Sequence, residues 1–156
     1  MPTAPLIICE KSGRWTLALR AALRGSLRIV ETRALAQCEE ALAASPALLV
    51  ALEVTGRSLG PALDFVARVH QNFPAARVVA LLDPSSESAA ALLREAGVAD
   101  VFHSPQQAAA IARLAQRHAA LAPVDDRPMR ELLAARLPWQ AWATPGFAAS
   151  ISPSPE

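Results

Sequence analysis

Apolar positions along this chain fall into short unbroken runs that alternate with stretches where they recur every three or four residues. Pro5-Leu6-Ile7-Ile8-Cys9 is a run without helical period, as expected of a strand covered on both faces. Trp15, Leu19, Ala22 and Leu23 then follow at helical spacing, with Gly25 as a stop. The unit repeats. Leu27 to Val30 reads as a second strand, and Leu35, Cys38 and Leu42 mark a helix that ends at Ser45-Pro46. Ala47 to Glu53 is a third strand, and Gly60-Pro61 opens a helix carrying Ala62, Val66, Val69 and Phe73. Arg77 to Leu82 is a fourth strand, followed by a helix capped at Ser85-Ser86, with Ala89, Leu92, Leu93 and Ala96 facing inward and Gly97 closing it. Val98 to His103 is the fifth strand. Ser104-Pro105-Gln106-Gln107 combines a capping serine, a first-turn proline and a third-position glutamine, and starts a helix with Ile111, Leu114, Ala115 and His118 inside, to about Leu121.

Five strands alternating with five helices through short loops call for right-handed crossovers and a parallel sheet covered on both faces. The expected fold is a doubly wound α/β flavodoxin-like domain, strand order 2-1-3-4-5, over residues 1–122. A short C-terminal helical extension is expected over 123–144, with Met129, Leu132, Leu133 and Leu137 on one face. Residues 145–156, rich in proline, serine and alanine, read as a disordered tail. Trp139 and Trp142 stand one helical turn apart if the extension continues past Pro138. They suit a binding hot spot or a fold-back onto the same domain.

Composition narrows the function classes. With 156 residues the chain holds about one domain. Fifteen basic and 14 acidic residues give a net charge of +1, so no global field draws nucleic acid or an acidic membrane. No uncharged stretch approaches the roughly 20 apolar residues that span a bilayer, and Met1 to Leu6 lacks the pattern of a secretory signal. The expected location is the cytoplasm. There Cys9 and Cys38, which share no motif spacing, are expected as reduced thiols. His70, His103 and His118 lie on separate segments without metal-ligand pairing, so neither metal nor cofactor is expected.

In such a fold the functional edge lies at the carboxyl ends of the strands. That edge gathers Cys9 to Lys11, Leu52 to Thr55, Leu82 to Pro84 and His103 to Pro105. The run Glu95-Ala96-Gly97-Val98-Ala99-Asp100-Val101-Phe102-His103-Ser104-Pro105 resembles, without a gap, the fourth-helix end, fifth strand and Lys-Pro junction of the receiver domains of two-component response regulators, which are CheY-like. The helix and strand cadence agrees from about Pro5 to Leu121.

The resemblance implies a phosphoryl-accepting aspartate at the end of the third strand. It also implies Mg²⁺ on an acidic pair after the first strand, a hydroxyl after the fourth and a lysine after the fifth. A carboxylate is the nucleophile, and cations offset charge on the transferring group. In this sequence the acidic pair is Cys9-Glu10, the hydroxyl position is Leu82 and the lysine position is Ser104. The aspartate position falls on Leu52 in one register and on Glu53 in the next; a glutamate there would imitate the phosphorylated form by its permanent charge. The resemblance also puts Leu93, Arg94, Phe102 and Arg113 in the contact face formed by the fourth helix, fifth strand and fifth helix.

The first reading is therefore a degenerate pseudo-receiver, not an enzyme, that acts by contact with an unidentified protein partner or as a homodimer. A second is a small-ligand or nucleotide-binding flavodoxin-like domain using the loop Glu10 to Trp15. There Lys11-Ser12-Gly13-Arg14 precedes a helix N-terminus that could receive an anion. A third is an atypical receiver switched at Glu53.

Overall fold

The computed structural model describes residues 5–45 and 48–121. The expected extension and tail, with Trp139 and Trp142, lie outside the described residues. Five strands, β1 (Leu6–Cys9), β2 (Ile29–Thr32), β3 (Leu49–Val54), β4 (Arg77–Leu82) and β5 (Asp100–Phe102), form one parallel sheet in the order β2-β1-β3-β4-β5. The helices are α1 (Arg14–Leu23), α2 (Leu35–Ala44), α3 (Leu59–Asn72), α4 (Ala90–Glu95) and α5 (Ala108–Leu121). This is the doubly wound arrangement that the alternating pattern requires.

Because side chains alternate across a strand, each run feeds two cores at once. On one face Ile7, Val50, Leu52, Val78 and Ala80 pack under α2, α3 and α4, where Leu42, Phe65, Val66 and Leu93 are fully buried. On the other, Leu6, Ile8, Leu49, Ala51, Val79 and Leu81 pack under α1 and α5, through Trp15, Leu19, Leu23 and Ile111. No helix among the described residues is long and apolar enough to cross a membrane.

Three sequence expectations shift. The second strand begins two residues later, at Ile29, because Leu27 packs into the α1/α5 core as a loop residue and leaves the pairing with β1 to Ile29 through Thr32. The fourth helix opens as a 3₁₀ turn over Pro84–Ala89, and neither Ser85 nor Ser86 caps α4. Its inner face holds Ala89, Ala90 and Leu93, while Leu92 turns outward at 45% exposure. Gly97 does close the helix. Its φ of +98° suits only glycine, and a Cβ there would overlap the His70 ring.

Candidate functional site

The order β2-β1-β3 makes the carboxyl ends of β1 and β3 the switch point, since the chain leaves β1 toward one face of the sheet and β3 toward the other. A cleft of about 410 Å³ opens there, lined by Cys9, Glu10, Lys11, Arg33, Leu52, Glu53, Thr55 and Arg57, with the first residues of α2 and α3 as its walls. Of the residues singled out from sequence, it brings together Cys9, Glu10, Leu52 and Glu53. Leu82 and Ser104 are not among its lining residues.

Glu10 follows the last residue of β1 and is 4% exposed. Its carboxylate folds over the start of α1, accepting the Trp15 N–H at 3.0 Å and the Thr16 N–H at 2.5 Å. Those are two of the four N–H groups a helix leaves without internal partners, and the N-cap residue, Gly13, has no side chain to serve them. A negative charge at that end also complements the helix dipole. The N-terminus proposed from sequence as an anion receptor is thus already filled, by a carboxylate of the same chain.

Glu53 lies beside it. Along β3, Leu49 and Ala51 face the α1/α5 core, so Glu53 projects on that side at the strand end, while Leu52 points into the other core at 3% exposure. The Glu53 carboxylate accepts the Lys11 backbone N–H at 2.7 Å. Ser12 ties the two acids together, its hydroxyl lying 3.3 Å from Glu10 Oε2 and 3.2 Å from Glu53 Oε1. Arg33 fixes the same loop from the opposite side, donating to the Lys11 carbonyl at 2.6 Å. Arg33 and Arg57 carry no motif, and no local pattern marks them. Only the convergence of three loops makes them part of one site.

The remaining positions sit elsewhere in the packing. Leu82 ends β4 inside the α2/α3/α4 core, 1% exposed. Ser104 accepts the Gln106 N–H at 3.2 Å, and the Gln107 side chain accepts the backbone N–H groups of Ser104 at 3.2 Å and His103 at 2.7 Å. That is the capping box expected from sequence. Of the contact-face residues, Arg94 and Arg113 are exposed, but Leu93 and Phe102 are core residues at 0% and 5% exposure and are not available to a partner. The inward phase of α4 falls one residue later than a surface role for Leu93 requires.

Beneath the cleft two thiols meet. Cys9, at the end of β1, pairs across the sheet with Thr32, and Thr32 Oγ1 lies 2.8 Å from the sulfur of Cys38, in the first turn of α2, with both cysteines in one core. The Cys38 hydrogen bond brings the Cys9 thiol down from 9.0 to about 7, against burial, which raises it; Thr32 assists, Glu53 opposes and Lys11 favours the thiolate. Cys38 moves the other way, raised by its bond to Cys9 and by burial. Cys38 therefore keeps its proton and donates it toward Cys9.

No protein-family model matches the chain, and no curated protein matches it by sequence. Solved structures do. A CheY-like protein (tadZ) from Pseudomonas aeruginosa PAO1 is 16% identical, with a TM-score of 0.63 over 74% of this chain and 98% of its own. A response regulator from Thermotoga maritima is 17% identical, with a TM-score of 0.61 over 76% and 98%. A protein from Burkholderia pseudomallei K96243 described as pilus assembly-related is 20% identical, with a TM-score of 0.59 over 76% and 90%. The order of the five parallel strands and these likenesses together establish that residues 5–121 adopt the receiver fold of CheY-like response regulators.

Proposed function

We propose that this chain is a pseudo-receiver: a receiver-fold module that works by protein contact and accepts no phosphoryl group. The observation that carries this reading is the commitment of Glu10, the acid nearest the family's metal position, to the N-terminus of α1. Mg²⁺ takes oxygen ligands and sheds water reluctantly, so it needs carboxylates that are free to turn toward it. Here both acids are engaged by N–H donors and the Ser12 hydroxyl, and the cleft adds Lys11, Arg33 and Arg57. These residues do not fit the ion. Leu82 and Ser104 reinforce the reading, the one a core side chain where the family places a hydroxyl, the other a cap where it places a cation.

Contact is then the remaining use of the fold. Exposed Leu92, Arg94 and Arg113, on α4 and α5, supply a mixed apolar and basic surface for an acidic partner or for a second copy of the chain. That a protein of the same fold is described as pilus assembly-related accords with a scaffold role. The cleft supports a second reading, a small anionic ligand held by Lys11, Arg33 and Arg57.

Amide NMR titration of the full chain with Mg²⁺, and then with beryllofluoride, tests the first reading. The expected result is no saturable shift at Glu10, Glu53, Leu82 or Ser104. Saturable shifts clustered at those four residues would overturn it and restore a phosphoryl switch.

A further inference from the structure

The thiol pair beneath the cleft has no part in protein contact or in phosphoryl chemistry, and its arrangement is asymmetric. Cys9 ends β1 and lines the cleft, whereas Cys38 is fully buried behind it. Both belong to the same packed core, and Thr32, the cross-strand partner of Cys9, has its hydroxyl 2.8 Å from the Cys38 sulfur, so the two thiols are neighbours on one face of the sheet. The Thr32 hydroxyl, also 3.2 Å from the Ile8 carbonyl, is anchored to β1 and holds the Cys38 sulfur beside that strand. The cleft of about 410 Å³ far exceeds the ~30 Å³ that a water molecule occupies in the liquid, so a small oxidant has room above Cys9.

We propose that Cys9 and Cys38 form a dithiol oxidation site in which Cys9 attacks a hydroperoxide and Cys38 resolves the product to an intrachain disulfide. The Cys9 thiolate attacks the terminal peroxide oxygen, the O–O bond breaks, and the leaving oxygen departs as alkoxide or hydroxide and takes up a proton. Cys9 becomes a sulfenic acid, oxidised by two electrons, and the peroxide is reduced by two. The Cys38 sulfur then attacks the Cys9 sulfur; an S–S bond forms, the S–OH bond breaks, and the proton that Cys38 gives up in the attack joins the departing hydroxide as water. An external thiol reverses the reaction by exchange. The direction of attack follows from the structure: Cys9 is the thiol that faces the cleft, and Cys38 stabilises its charge by donating a hydrogen bond. With a value of about 7, Cys9 is about half ionised at neutral pH, where an ordinary cysteine is only a few per cent thiolate.

The test uses the full reduced chain, treated with hydrogen peroxide at neutral pH and followed by intact-mass and peptide mass spectrometry. The expected product is a monomer lighter by two hydrogen atoms, with Cys9 joined to Cys38. In Cys38→Ala, the Cys9 sulfenic acid accumulates and is trapped by dimedone; in Cys9→Ala, Cys38 gives no adduct. Iodoacetamide on the unmutated chain supplies a readout independent of how the variants fold. Cys9 is expected to alkylate at least about tenfold faster than Cys38 under native conditions, and both equally in urea. Disulfides formed only between chains, a Cys38 adduct preceding that of Cys9, or no oxidation in the time that oxidises the urea-unfolded chain would each overturn the assignment. None of these results depends on whether the domain binds a protein partner.

Discussion

Replacing Glu10 by alanine removes the group that terminates α1, and the cost can be worked from its contacts. The carboxylate accepts two buried backbone N–H groups, at 3.0 and 2.5 Å, and shares the Ser12 hydroxyl. Hydrogen bonds to a charged group contribute about 1.5–3 kcal/mol each, while loss of an ordinary N-cap costs about 1 kcal/mol because water replaces the side chain. Glu10 is 4% exposed, so water gains only partial access, and Glu10→Ala is expected to destabilise the domain by about 3 kcal/mol. At roughly 4 °C per kcal/mol for a domain of this size, that is a fall in Tm of about 12 °C. Glu10→Gln keeps one acceptor oxygen and loses the charge, so about half the effect is expected. Urea unfolding followed by far-UV circular dichroism reads the change as a lower midpoint at constant slope. Wild-type protein treated with a chelator serves as the comparison and is expected to keep its midpoint. An alanine variant within about 0.5 kcal/mol of wild type, the range of ordinary surface substitutions, would refute the capping role of Glu10. A loss of stability on chelation would refute the reasoning that keeps Mg²⁺ away.

Two further expectations concern stability. Ser104→Ala breaks one half of the capping box at the start of the fifth helical segment and is expected to cost about 1 kcal/mol in the same urea assay, with no change at the cleft. The Cys9 shift gives a pH dependence: the folded thiol releases its proton near 7, while in the unfolded chain it holds it to about 9.0. Between those values the unfolded state binds more protons, so stability rises with pH, with a slope of at most about 1.4 kcal/mol per unit. Above 9.0 the raised Cys38 reverses the sign, since only the unfolded chain then ionises there. Urea midpoints of reduced protein at pH 7, 8 and 9 are expected to climb, and in Cys9→Ala to stay level.

Much of the architecture was legible before any coordinates, for a physical reason. A parallel sheet covered on both faces needs unbroken apolar runs, such as Ile7-Ile8-Cys9 and Val78 to Leu82, and its crossover helices need one apolar stripe. Both signals are local, and so is the Ser104 box, whose partners lie within four residues. Local pattern weakens where only one neighbour defines an element. β2 is an edge strand, half exposed along Ile29 to Glu31, and Leu27 has the character of a strand residue while serving a different core. At α4 two adjacent leucines leave the helical phase undetermined, and packing against β5 put Leu93 inside and Leu92 outside.

The sequence by itself therefore determined the succession of strands and helices, the parallel sheet and the capping box at Ser104. Only the tertiary structure decided what Glu10, Glu53 and the two cysteines do. Their partners, Trp15 and Thr16 for one acid, Lys11 and Ser12 for the other, Cys38 for Cys9, belong to loops and helix starts that meet because β1 lies between β2 and β3. Burial periodicity is a property of each segment and can be read along one dimension, whereas such meetings are set by strand order and register across the sheet.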